Sequence, residues 1–296
     1  MSASLKTRAT EFLRTLQDEI TSSLESLDGG ANFREDNWER PGGGGGRTRI
    51  LGDGNIFEKA GVNFSAVHGE SPKMLQKGNE SSQFFATGVS LVLHPKSPKI
   101  PTVHANFRYF EQSTGQAWFG GGMDLTPYYL VEDDAAHFHR TIKTTCDKHD
   151  PAYYPRFKKW CDDYFFIKHR GERRGIGGIF FDRLTGNDSE LEKTFAFVQD
   201  IARTFLPSYL PIAELHCNES FTETEQRWQQ IRHGRYVEFN LVYDKGTLFG
   251  LETSGRTESI LMSLPTTARW EYDMQPDPGS EEDKLVHVLK NPREWV

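Results

Sequence analysis

A chain of 296 residues with 36% hydrophobic and 12% aromatic content can bury a sizeable core and is compatible with a single domain over residues 1–296. A net charge of -7 with no long basic run excludes nucleic acid as the main partner, because phosphate binding needs concentrated Lys and Arg. The three cysteines, Cys146, Cys161 and Cys217, are odd in number and far apart, which fits free structural thiols in a reducing compartment and disfavours a disulfide framework or a zinc cage.

The first helix is expected within residues 1–30, where Phe12, Leu13, Leu16, Ile20, Leu24 and Leu27 recur at helical spacing. Its hydroxyl-rich start suggests an organellar presequence, but Glu11, Asp18, Glu19 and Glu25 are too many acids for one, so it reads as a docked helix of a cytoplasmic protein. No apolar run approaches the length of a membrane span. Pro41 to Arg47, PGGGGGR, lacks the Gly-Lys-Ser/Thr ending of a phosphate loop and the spaced glycines of a dinucleotide fold, and reads as a flexible Gly-rich loop, with a lid as the second reading. Arg49 to Ile56 and Val62 to His68 alternate like short strands, and His68 and Glu70 read as turn residues.

The chemistry concentrates in the next two strands. Over Thr102 to Phe110 a period of two sends Val103, Ala105, Phe107 and Tyr109 to one face and His104, Asn106 and Arg108 to the other. Asp124 follows beyond a Gly-Gly-Gly turn. Phe84 to His94 is a strand of its own, separated from Thr102 by Pro95, Pro98 and Pro101, so the two form a hairpin with a long loop. Pairing His94 with His104 sets Val92 opposite Asn106 and Ser90 opposite Arg108; Ser90, His94, His104, Asn106 and Arg108 then share a face. The competing reading is a polar face turned to water, which antiparallel sheets commonly have.

Beyond Asp124 the period becomes helical. Glu132 to Lys148 begins acidic and ends basic, as the macrodipole prefers, and Pro151 to His169 is a second helix burying Tyr154, Phe157, Trp160, Tyr164 and Phe165. Arg170 to Asp182 passes from a basic turn through glycines into a strand, where Arg173 and Arg174 make either a carboxylate clamp or a solvated turn. Leu191 to Phe205 is a helix, and Thr222 to Tyr243 is a long one with Thr222 and Glu225 spaced as a capping box. Asp244, Lys245 and Gly246 end it; Thr257 to Leu264 is an apolar segment, either a buried strand or an interface.

The runs FEKAGVNFSAVHGE, HANFRYFE, WFGGGMDLTPYYL, FKKWCDDYFFIKHRGERRGIGGIFFD, GRYVEFNLVYD and ESILMSLPTTARWEY resemble oxygen-dependent coproporphyrinogen-III oxidase, in one order and over nearly the whole chain. The resemblance implies an α+β fold, a large antiparallel sheet flanked on both faces by helices, and a homodimer. It implies an oxidoreductase of haem synthesis that converts the ring A and B propionates of coproporphyrinogen III to vinyl groups, yielding protoporphyrinogen IX, carbon dioxide and hydrogen peroxide. Dioxygen is then a co-substrate, and no cofactor is expected.

Residue by residue, the resemblance places substrate contacts on Ser90, Asn106, Phe107, Arg108, Ser254, Gly255 and Arg256, a proton donor on His104, and further charged positions on Asp124, Arg174 and Asp244. A substrate with four propionates calls for guanidinium groups such as Arg108, Arg174 and Arg256, and its pyrrole N–H groups call for a catalytic carboxylate, Asp124 or Asp244, to accept those hydrogens or draw one proton off as a base. Two departures stand out: Lys245 follows Asp244 where the family has Arg, and Arg183 follows Asp182 where a second Asp is usual. His94, His104, His139 and His169 match positions proposed as metal ligands in some bacterial relatives, but their spacing makes no compact motif, so His139 and His169 read as structural. Dimerisation is expected through Val237 to Leu264. A metal-dependent hydrolase and a non-catalytic tetrapyrrole carrier are the rival readings; the first would lose activity with a chelator and need no oxygen, the second would bind without turnover.

Overall fold

The computed structural model describes residues 3–71, 82–252 and 255–296. Helix α1 (Leu5–Asp28) leads into strands β1 (Arg34–Glu39), β2 (Gly44–Gly52), β3 (Phe57–Glu70), β4 (Gln83–Pro95), β5 (Thr102–Gln112) and β6 (Ala117–Thr126). Helices α2 (Glu132–His149) and α3 (Tyr153–Tyr164), the short strands β7 (Phe166–Ile167) and β8 (Glu172–Arg173), and strand β9 (Gly178–Thr185) follow. The chain finishes through α4 (Asp188–Arg203), α5 (Phe205–His216), α6 (Glu223–Val242), α7 (Lys245–Glu252), α8 (Thr257–Leu261) and α9 (Glu281–Lys290). Seven strands make one sheet in the order β1-β2-β3-β4-β5-β6-β9, antiparallel throughout, and β7 pairs with β8 apart from it. This is the α+β class expected from the resemblance.

The ends of the helices follow their capping residues. Ser4 accepts from Thr7 N–H at the start of α1, and Gly29 ends it in the left-handed region at φ 62. Asp28, almost fully buried, accepts from the backbone N–H groups of Gly30, Ala31, Asn55, Ile56 and Phe57, tying the helix end to the entry of β3. Thr222 and Glu225 form the expected capping box of α6, and Asn187 with Glu190 makes a second one at α4.

The sheet has one dry face and one working face. Val89, Leu91, Leu93, Val103, Ala105, Phe107, Tyr109, Phe119, Met123, Leu125, Ile179 and Phe181 are buried on the dry side with the apolar stripes of α1, α2, α4 and α5. On the opposite side α6 and α8 cover only part: Ser259 bonds Thr48 at 2.8 Å, Lys59 donates to Leu264 O, and Met262 lies against Gly61.

Several elements differ from the sequence reading. Helix α3 stops at Tyr164 rather than His169, because Phe165 caps it through Cys161 O and the chain turns back at once into the β7–β8 hairpin. The segment after Arg256 begins as a helix, not a strand: five residues, Thr257–Leu261, carry too little periodicity to decide, and Glu258 in its first turn favours the helix. Gly44 to Arg47 belongs to β2, so the glycine run is a tight β1–β2 connection followed by strand, with Gly43 and Gly44 at φ 109 and 79. Gly46 is required there, since a Cβ would meet the Trp38 ring at 2.2 Å. Strand β1, Arg-Glu-Asp-Asn-Trp-Glu, is a polar edge strand with no alternation to reveal it.

Candidate functional site

Strand β5 carries the site as its alternation requires: His104, Asn106 and Arg108 are half-buried on the working face, and Val103, Ala105, Phe107 and Tyr109 are buried on the other. The β4–β5 register is Val92↔His104, Ser90↔Asn106 and Gly88↔Arg108, two residues away from the expected pairing. A shift of two preserves the face of every side chain, so Ser90, His94, His104, Asn106 and Arg108 do share one side. Phe107 does not join them; its ring is fully buried in the core, and only its backbone passes beneath the site.

Glycines flatten the floor around Arg108. Gly120, Gly121 and Gly122 sit in mid-strand on β6 rather than in a turn. Gly88 and Gly120 are the cross-strand neighbours of Arg108, and Gly122 is the neighbour of Asn106. With no side chain on either flank, the Arg108 guanidinium lies across β6 and donates to Asp182 on β9 at 2.8 Å, while its other amino group donates to Asn106 Oδ1 at 2.8 Å. A Cβ on Gly120 would come within 2.6 Å of Asp182 Oδ1 and 2.9 Å of Arg108 Nε. Gly121 faces the core, where a Cβ would meet Phe107 at 2.9 Å.

Beside this floor lies a buried relay. Asp124 pairs across to His104 in the β5–β6 ladder and accepts from His104 Nδ1 at 2.8 Å. Arg174 donates to both Asp124 oxygens at 2.8 Å and to Asn240 Oδ1 on α6 at 2.7 Å. Side-chain exposure is 1% for Asp124, 2% for Arg174 and 22% for His104, so the histidine alone of the three reaches the open side. Burial by itself would raise the Asp124 carboxyl, but Arg174 and then His104 override it and hold it below the ordinary carboxylate range. Arg174 is enclosed by the rings of Phe165 and Tyr236, at 4.1 and 4.4 Å, and serves Asp124 instead of offering itself as a propionate clamp.

The remaining expected residues lie around or away from this centre. Asp244 accepts from Tyr164 Oη at 2.9 Å and from Thr247 N at 2.8 Å, capping α7; its negative charge still acts on Arg174. Gly255 bonds back to Gly250 O in the α7–α8 connection, and Arg256, at the start of α8, donates to Asp36 on β1. Ser254 lies outside the described residues. The four histidines do not gather. His94 is fully buried between Thr102 and Ser263 O, and His139 between Tyr154 and Ile176 O, whereas His169 is exposed and bonds Tyr243 and Glu238. Among the described residues no three His, Cys, Asp or Glu side chains are arranged to hold a metal ion.

Sequence reasoning passed over Asn240, Asp182 and Asp36. Asn240 was detectable, because Gln229, His233, Tyr236 and Asn240 form a buried polar stripe at helical spacing along α6. Asp182 and Asp36 were not, since each is one acid on a strand edge that acquires meaning only from the arginine it meets. Grooves of about 220 Å³ at Lys99, Tyr129 and His216 and about 520 Å³ at Arg140, Lys148 and Arg203 lie elsewhere and include none of these site residues.

Known proteins align with the whole of this arrangement. The family profile described as Coproporphyrinogen III oxidase matches residues 8–295. The coproporphyrinogen-III oxidase 1 of Arabidopsis thaliana chloroplasts is 54% identical, over 100% of this chain and 80% of that protein. The oxygen-dependent coproporphyrinogen-III oxidase of Homo sapiens mitochondria is 54% identical over 99% of this chain and 67% of that protein, and that of Drosophila melanogaster 55% over 96% and 77%. With a match this extensive, reaching both strands that carry the His104–Asp124 pair, the chain belongs to the coproporphyrinogen III oxidase family.

Proposed function

We propose that this chain oxidatively decarboxylates the ring A and B propionates of coproporphyrinogen III to vinyl groups, with dioxygen as co-substrate and no other cofactor. The observation that carries the reading is His104, held by a buried Asp124 at the edge of a glycine-flattened face beside Arg108. For each ionised propionate, loss of carbon dioxide and one β-hydrogen leaves two electrons and one proton; dioxygen takes two electrons and two protons to become hydrogen peroxide. One proton per turnover must therefore be supplied. Asp124 accepts the Nδ1–H hydrogen bond of His104 and fixes the ring, so that in the doubly protonated imidazole the hydrogen on Nε2, without a partner among the described residues, is the one given to the reaction and restored from solvent. Asp124 is the positioning group here, since both its oxygens are occupied by Arg174.

The substrate propionates are held by guanidinium groups on the open side, Arg108 and Arg256, each a charge-assisted donor. The macrocycle lies on the floor made by Gly88, Gly120 and Gly122, where larger side chains would lift it off. The test is aerobic against anaerobic incubation of chelator-treated protein with coproporphyrinogen III, with products separated and read by porphyrin fluorescence. Product formed only with oxygen, and undiminished by the chelator, supports the reading; product requiring added metal, or none at all, overturns it.

The working unit we propose is a homodimer joined through residues 237–264, supported by Leu241, Val242 and Leu251, which are 40, 53 and 42% exposed there. No helix among the described residues is long and apolar enough to cross a membrane.

A further inference from the structure

The working face holds two kinds of arginine–aspartate pair. Arg174–Asp124 is sealed, with side chains 2% and 1% exposed. Arg108–Asp182 is open, at 35% and 33%, and Arg256–Asp36 is open to the same degree. The two open carboxylates come from the two edge strands, Asp182 from β9 and Asp36 from β1, and their arginines lie on the side where the substrate is placed. Sealed pairs do not exchange, because separating them leaves a buried charge; solvent-open pairs are weak and exchange readily.

We infer that Asp182 and Asp36 are exchangeable counter-carboxylates: each releases its arginine to a substrate propionate and reclaims it when that propionate has become a vinyl group. The inference rests on the proposed reaction, in which a tetracarboxylate enters and a dicarboxylate leaves. An arginine that lost its propionate in place would face a neutral vinyl with its charge uncompensated. With Asp182 lying 2.8 Å from Arg108, on the strand beyond β6, the charge is met again without rearrangement of the backbone. The geometry lets the swap proceed by side-chain rotation. Asn106 keeps one amino group of Arg108 in place throughout, and Gly120 leaves the space through which the guanidinium and Asp182 move apart. Affinity for the tetracarboxylate is thereby lowered, its preference over the dicarboxylate is narrowed, and the product complex is spared an uncompensated arginine.

The two carboxylates are thus specificity-determining groups, and their removal has an unusual expected sign. Asp182→Asn, with Asp36→Asn as the second variant, is titrated with coproporphyrin III, the unreactive tetracarboxylate, and with protoporphyrin IX, the dicarboxylate, by quenching of protein fluorescence; thermal melting confirms the fold. The expected result is coproporphyrin III binding about three- to fivefold tighter, the range an exposed ion pair commands, with protoporphyrin IX affinity unchanged. Weaker coproporphyrin binding would make Asp182 a support for Arg108 and overturn the inference, as would equal tightening of both porphyrins or no change in either. Failure of the unsubstituted protein to bind coproporphyrin III saturably would instead remove the proposed function, and this inference with it.

Discussion

His104 and Asp124 divide one task, and substitutions separate their shares. His104 is part-exposed and among the described residues its side chain bonds Asp124 alone, so His104→Gln should fold normally and lower kcat about a hundredfold or more with KM little changed, the usual loss for a proton-transfer group. Steady-state rates with coproporphyrinogen III check it, and an unchanged kcat would take His104 out of the chemistry. Asp124→Asn should cost activity and stability together. It strands Arg174 as an uncompensated buried charge, a loss of about 3–5 kcal/mol measurable in urea unfolding. If Asp124 met the substrate directly and Arg174 were merely nearby, stability would hold while turnover failed. The sequence named both residues, yet it cast Asp124 as a candidate base, because residue type and spacing are visible in a string of letters and burial beneath an arginine is not.

At the scale of elements, the glycines of β6 decide how much of the site can form. Gly120→Ala places a methyl group between Arg108 and Asp182, both flexible at their ends, so the strand should survive while the guanidinium is pushed off the floor. The expected result is a several-fold rise in KM for coproporphyrinogen III with a melting temperature within a few degrees of the parent; an unchanged KM would mean Arg108 is not a substrate contact. Strand and helix periodicity made β4, β5, α1, α2, α4 and α6 legible in advance, and the two-residue error in the β4–β5 register did no harm because it kept parity. What stayed hidden was set by tertiary partners. Edge strand β1 is polar, α8 is five residues long, and the Gly44–Arg47 run becomes a strand only because β1 and β3 pair on either side of it. The same holds for Phe107, which its alternation put in the core and the family resemblance put at the substrate; its side chain packs where the alternation put it.

For the whole molecule, assembly and acid stability are the open tests. If residues 237–264 join two copies, Leu241→Glu with Val242→Glu should convert a dimer to a monomer in light scattering while leaving the β-sheet signal intact; a parent that is already monomeric would sink the proposal. Acid stability follows from histidines that the fold keeps neutral. Burial pushes His139 down to about 3 and His233 to about 4, and drives His94 in the same direction. The unfolded chain takes up protons near the ordinary histidine value of about 6.5, so it binds more protons than the folded one below that point. Depressed groups of this kind contribute stability that is complete above pH of about 6.5 and is lost as pH falls. Between about pH 6.5 and 5.5, His139 and His233 should each remove about 1 kcal/mol, roughly 2 kcal/mol together, from a total that for a domain is typically about 5–15 kcal/mol. His216 does not cancel this. Burial disfavours its charge, but Glu219 and Asp134 raise it overall, so its contribution is already complete below about pH 6.5 and stays flat through the window. Urea midpoints recorded at pH 6.5 and 5.5 should therefore fall, with the slope reduced in His139→Gln; midpoints that stay level would show that these histidines reach their protons without unfolding.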